Sequence, residues 1–117
     1  MSKDLQSRLI QFAGLCISMK RYMNHSYEGD HLSKQLIRSA TSAALNFAEA
    51  RSAESRKDFT HKQSICLKEL RESYVNLLIL EQNQLCKKSE LIEKTIDEAN
   101  QLVSIFVTTI KKCTRKD

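Results

Sequence analysis

The chain has 117 residues, 41% hydrophobic, 6% aromatic and 28% charged, with two Gly, four Cys and no Pro. That length suits one domain, residues 1–117, around a single core, and the composition argues against an all-β or loop-rich fold. A formal charge of +5 is compatible with nucleic acid or an anionic surface but requires neither.

Residues 4–22 read as a first helix, because Leu5, Leu9, Phe12, Cys16, Met19 and Met23 recur in alternating steps of four and three. Gly14 falls inside it, at about 1 kcal/mol against Ala. The stretch 24–30, with Gly29, is the clearest turn. A second helix is expected from His31, capped by Asp30, to about Ala53, with Leu36, Ala40, Ala43, Phe47 and Ala50 as its core seam. Ser55-Arg-Lys-Asp58 has the form of a capping box and opens a third helix that runs to about Cys86. Its seam is Phe59, Cys66, Leu70, Ser73, Leu77 and Leu80. Residues 86–89 break the chain again, and Ser89 can cap a fourth helix with Ile92, Ile96, Ala99, Val103, Phe106 and Ile110 facing inward. Glu90 and Glu93 in its first turn, and Lys111, Lys112, Arg115 and Lys116 at its end, suit the helix dipole. The expected fold is therefore all-α, an antiparallel up-down-up-down four-helix bundle.

Beside the second seam runs a polar line of Gln35, Arg38, Ser39, Ser42, Asn46 and Glu49, and beside the third lie Glu69, Arg71, Glu72 and Asn76. These read either as a semi-buried paired network or as the surface flank of an ordinary core. Arg38 and Glu49 are too far apart to meet within their helix, so each needs a partner elsewhere, with Glu69, Arg71 and Glu72 as candidates.

The pattern Gln35-Leu36-x-Arg38-Ser39-x-x-Ser42-x-x-x-Asn46-x-x-Glu49, then Ser55-Arg56-Lys57-Asp58-Phe59-x-x-Lys62, then Lys68-Glu69-x-Arg71-Glu72, resembles the four-helix-bundle proteins often encoded in 23S rRNA intervening sequences. A weaker likeness extends from Asp4 through the fourth helix. Members of that family often carry Gly after the Asn-x-x-Glu, where this chain has Ala50-Arg51, and a Trp where it has Asn76. The resemblance implies a closed bundle that assembles as a ring-like homo-oligomer, typically a pentamer, with no known catalytic activity. A related branch, the accessory proteins of diversity-generating retroelements, binds nucleic acid and a reverse transcriptase.

Catalytic and metal motifs are scarce. Glu28-x-x-His31 matches the di-iron pattern by letter but stands alone and across the expected turn, so no metal or other cofactor is expected. His25, His31 and His61 read as surface imidazoles. No nucleophile elbow, phosphate loop or zinc signature occurs, Cys16 and Cys66 sit on core seams, and no small-molecule substrate is evident. Glu69 and Glu72, beside Lys68 and Arg71, read as ion-paired structure rather than an acid–base pair. No apolar run approaches the roughly 18–20 residues that cross a membrane, and the N-terminus lacks a signal-peptide core, so a cytoplasmic, membrane-free protein is expected.

Two functional classes remain: a self-assembling structural protein, and a nucleic-acid-binding accessory protein. The bundle topology gathers Lys3, Arg8, Arg51, Arg56, Lys57, Lys62, Lys111, Lys112, Arg115 and Lys116 at one end against Asp4, Glu54, Asp58 and Asp117, formally +6. RNA or DNA would be held there through its phosphates without sequence preference, since Phe59, the aromatic at that end, is taken as core.

Overall fold

Four α-helices run antiparallel in the order of the chain: α1 Ser2–Met19, α2 Tyr27–Arg51, α3 Arg56–Gln82 and α4 Ser89–Arg115. The computed structural model describes residues 2–115, with side chains from Asp4 to Thr114. A 3₁₀ turn, Lys20–Tyr22, extends α1. Each helix packs on its neighbours in sequence and α1 closes on α4, which gives the expected up-down-up-down bundle. The molecule measures 47 × 21 × 19 Å, a rod about as long as its longest helices. No strand occurs among the described residues, only an isolated antiparallel bridge between Met23 and Cys86.

The seams expected for α1 and α2 form the core: Leu9, Phe12, Cys16 and Met19 of α1 and Leu36, Ala40, Ala43, Phe47 and Ala50 of α2 are buried. In α3, Cys66, Leu70, Ser73, Leu77 and Leu80 are buried as expected, but Phe59 is only half-buried. In α4 the buried line is Ile92, Thr95, Ala99, Leu102 and Phe106. Ile96, Val103 and Ile110 are half-buried on its flank, so the true seam is rotated from the expected one. Thr95 is tolerated inside because its hydroxyl donates to the Leu91 carbonyl at 2.7 Å, leaving a methyl for the core.

Helix ends differ from the sequence reading where tertiary contacts compete. α2 begins four residues before His31, with Ser26 as N-cap accepting from the Gly29 amide at 3.1 Å. Gly29 is thus not a turn residue but lies in the first helical turn, where a Cβ would come 2.4 Å from the Asn24 carbonyl oxygen. Ser55 caps α3 through the Asp58 amide at 3.0 Å, as the capping pattern predicts. α3 ends at Gln82, short of Cys86. There Gln84 takes a left-handed conformation, φ 54°, the Leu85 amide returns to the Leu80 carbonyl, and Gln84 bonds back to Glu81. This is a Schellman stop without its usual glycine, and the buried Leu80 and Leu85 supply its hydrophobic contact. α4 begins at Ser89, so Ser89 is its first residue rather than its cap.

The two loops at this end are tied to each other. The Asn24 amide donates to Leu85 O at 2.9 Å and the Lys87 amide to Tyr22 O at 2.7 Å, while Lys88 sits 4.9 Å above the Tyr22 ring.

The glycines therefore act in opposite senses. Nothing lies within 4 Å of a Cβ built on exposed Gly14, so Gly14→Ala is expected to raise stability by up to about 1 kcal/mol in urea denaturation. Gly29→Ala, against a backbone carbonyl, is expected to lower it by about 1–3 kcal/mol. A gain or no change for Gly29→Ala would contradict the close approach.

Candidate functional site

The polar line of α2 meets the polar line of α3 within one chain. Small residues let the two helices approach: the Ser39 and Ser73 hydroxyls lie 2.7 Å apart, both fully buried, so that one donates to the other while the acceptor donates to its own helix carbonyl. The Cys66 thiol donates to Ala43 O at 3.4 Å. Glu69, 8% exposed, accepts from Ser42 at 3.3 Å and from Arg38 Nη1 at 3.4 Å. Arg38 also reaches Glu72 and Gln35, and Asn46 donates to Ser42. Of the expected pairs, Arg38 with Glu69 and Glu72 is found. Glu49 instead accepts from Lys62, at 2.6 Å, and this bond pushes the Lys62 ammonium pKa up. Arg71 points to solvent and pairs with none of the described residues. The seam is thus a paired network inside the subunit, and the need for a second copy to satisfy it disappears.

The opposite end of the bundle carries the cations. Arg56 of α3 and Lys112 of α4 line one hollow with Ser55, Phe59 and Cys113. Arg51, Lys57, Lys111 and Lys112 are exposed, and Arg51 donates to Gln6 across the α1–α2 contact. Arg8 and Lys62 are held by carboxylates. Arg8 makes a two-pronged bond to Glu98, at 2.8 and 3.0 Å, which holds the guanidinium pKa up. The Lys3 and Arg115 side chains and Lys116 lie outside the described residues.

Three features had no clear sequence signal. Gln63 of α3 is 2% exposed, and its Oε1 has no hydrogen-bond partner. It borders a cavity of about 440 Å³ with Phe47, Phe59, Ile105 and Thr109. Asn76, at the position where a Trp is common in the resembling proteins, donates to the Leu32 carbonyl at 3.0 Å and leaves its own buried Oδ1 unpaired. Beside it Val75 and Ile79 are exposed, at 53% and 41%, and Tyr27 of α2 is exposed at 82%. Tyr27 stacks on His31, which puts Glu28-x-x-His31 on the first turn of α2 rather than across a loop.

Among the described residues no three His, Cys, Asp or Glu side chains gather as a metal site. All four cysteines are free thiols, and burial pushes those of Cys16 and Cys66 up to about 12, far from a reactive thiolate. Among the described residues no helix is long and apolar enough to cross a membrane.

Helix order, closure and the α2–α3 network define an all-α four-helix bundle. The model of the 23S rRNA-intervening sequence protein family matches residues 4–107, and the chain belongs to that family. Among solved structures it is similar to a crystal structure from Bacteroides thetaiotaomicron, described as a protein of unknown function from the S23 ribosomal protein family. The two share 26% identity over 94% of this chain and 97% of that one, with a TM-score of 0.83. No curated protein matches the chain. Neither the family nor the similar structure indicates a catalytic activity.

The network sets an order of mutational costs. Glu69→Ala removes a nearly buried carboxylate that holds two groups of α2, and is expected to cost about 2 kcal/mol. Glu72→Ala, whose side chain is 40% exposed, is expected to cost less than about 1 kcal/mol. Equal losses in urea denaturation would mean that Glu69 is not the anchor.

Proposed function

We propose that the protein is a non-enzymatic bundle that assembles with copies of itself in the cytoplasm through the outer face of α2 and α3. One observation carries this reading: Val75 and Ile79 stand exposed beside half-buried Leu32 and the Asn76 Oδ1, which has no partner among the described residues, and exposed Tyr27 stacks on His31 at the edge of the same hollow. Such an apolar cluster with a polar orphan at its base suits a contact surface better than a solvated face. A second copy fits it because Glu72 borders the cluster and Arg38 is paired with it, and a face with both signs can pair with its own kind. A pentamer is proposed on family resemblance alone. Light scattering is expected to give a mass several times 13.5 kDa, and Val75→Glu with Ile79→Glu is expected to yield a helical species at 13.5 kDa. A parent protein that runs at 13.5 kDa at micromolar concentration refutes assembly.

A second reading is supported by the basic end: a sequence-independent nucleic-acid-binding accessory protein, with RNA or DNA held through its phosphates. Arg56 and Lys112 share a hollow there, and Arg51, Lys57 and Lys111 stand exposed around it. An assembled ring would multiply that charge by its subunit number. In mobility-shift titrations across a salt series, changing Lys57, Lys111 and Lys112 to Ala is expected to weaken binding and flatten the salt slope. Changing Lys20, Arg21 and Lys34, at the other end, is expected to do little. Equal losses from the two triples, or no binding at low salt, would refute it.

A further inference from the structure

We propose that the cavity behind Phe59 takes one unstacked base of a single-stranded nucleic acid whose phosphates lie on the adjoining cations, an inference that rests on the basic-end reading above. Leu5 of α1, Phe47 of α2, Phe59 and Gln63 of α3, and Ile105 and Thr109 of α4 border this space of about 440 Å³. A planar ring fits a pocket of this size and mostly apolar lining.

Gln63 gives the cavity its chemistry. The side chain is 2% exposed, and its carbonyl oxygen has no hydrogen-bond partner among the described residues. A buried polar atom without a partner is unfavourable, so a turn of the Gln63 side chain that brings this oxygen to the cavity lets a ligand donor supply the bond that the fold leaves unmade. The carboxamide offers an acceptor and a donor side by side, the complement of a base edge such as N6–H and N7 of adenine. An aliphatic side chain or a lipid tail would fill the space but leave that oxygen unpaired.

Phe59 joins this cavity to the charge. Half-buried, it lines both the inner space and the outer hollow of Arg56 and Lys112. A base that enters past its ring can stack on it while the sugar-phosphate stays outside, against Lys112 and the nearby Lys57. Phe47 forms a fixed inner wall, held edge-on to Phe106 with ring centres 5.9 Å apart. Arg8, at the rim, is kept in place by Glu98 and is left to shape the opening rather than to bind phosphate. The single-strand preference follows from the depth of the site: a paired base cannot turn its edge toward Gln63.

The test compares strands of equal charge. Oligoadenylates of about 12 nucleotides, as RNA and as DNA, are titrated by fluorescence anisotropy against an abasic sugar-phosphate strand of the same length. The intact strands are expected to bind about tenfold more tightly than the abasic one, and the two sugars report which backbone is preferred. Gln63→Leu, which keeps an apolar group in the buried position, and Phe59→Ala are each expected to bring the intact strands down to the abasic level. Lys57→Ala with Lys112→Ala is expected to weaken intact and abasic strands in proportion. Melting curves check that each variant is folded. Equal binding of intact and abasic strands, or a preference for bases that survives both Gln63→Leu and Phe59→Ala, overturns the base site and leaves the basic-end reading standing. No binding of either strand at low salt overturns both.

Discussion

The close approach of α2 to α3 is the contact on which the bundle depends. It is the most extensive helix contact in the molecule, and it is made by small residues. Ser39 and Ser73 touch through their hydroxyls, and Cys66 reaches the Ala43 carbonyl. Small side chains bring the backbones together, and polar ones must then be paired, because water cannot reach them. Ser39, Ser73 and Glu69 meet that demand with partners on the facing helix or on their own. The register of the two helices follows from the same pairs, since a shift by one turn would take the buried Glu69 carboxylate from its α2 partners and break the Ser39–Ser73 contact.

Against that fixed pair the two ends of the rod are built differently. At one end the α1–α2 and α3–α4 loops share backbone hydrogen bonds, and the core is shut by Met23 and Leu85. At the other end α1 is the shortest helix. Its pairing through Arg8 with Glu98 and Gln101 brings the start of α1 level with α4 at about residues 104–107, so the last turns of α4 run past it. There the inner wall of the bundle meets solvent between Phe59, Ile105 and Thr109. The open cavity, the orphaned Gln63 oxygen and the exposed lysines all fall in this half of the molecule. The apolar cluster around Asn76 lies toward the closed end, so a self-contact there would leave the basic end free.

Periodicity carried much of this architecture. Apolar steps of four and three marked the core faces of α1 and α2 because a helix places such residues on one side whatever it packs against. The α4 seam held at Ile92, Ala99 and Phe106 and was displaced at its other positions. Ile96, Val103 and Ile110 are better hydrophobes than Thr95, but the line buried between the neighbouring helices runs through Thr95 and Leu102, with Ile96 and Val103 packed on its edge. The family pattern pointed to the right polar residues, and the facing helix revealed their purpose: an internal network for Arg38, Ser39, Ser42 and Glu69, with Arg71 outside it. Phe59 had the right spacing for the core, yet where α1 begins the helical stripe no longer means full burial.

By itself the sequence determined the number of helices, their order and the inward faces of the first two. Those depend on local spacing, on Ser55 as a cap and on the absence of proline. Only the tertiary structure decided where α3 stops, since Gln84 accepts a left-handed backbone in exchange for burying Leu85 and joining the neighbouring loop. It alone decided that Arg8 and Lys62 are paired, because they meet carboxylates that are distant in sequence. Gln63 reads in the sequence as one more polar residue in a helix. The contacts of four helices make it a buried carboxamide with an unpaired oxygen, because burial depends on every neighbour at once and local spacing records only one helix at a time.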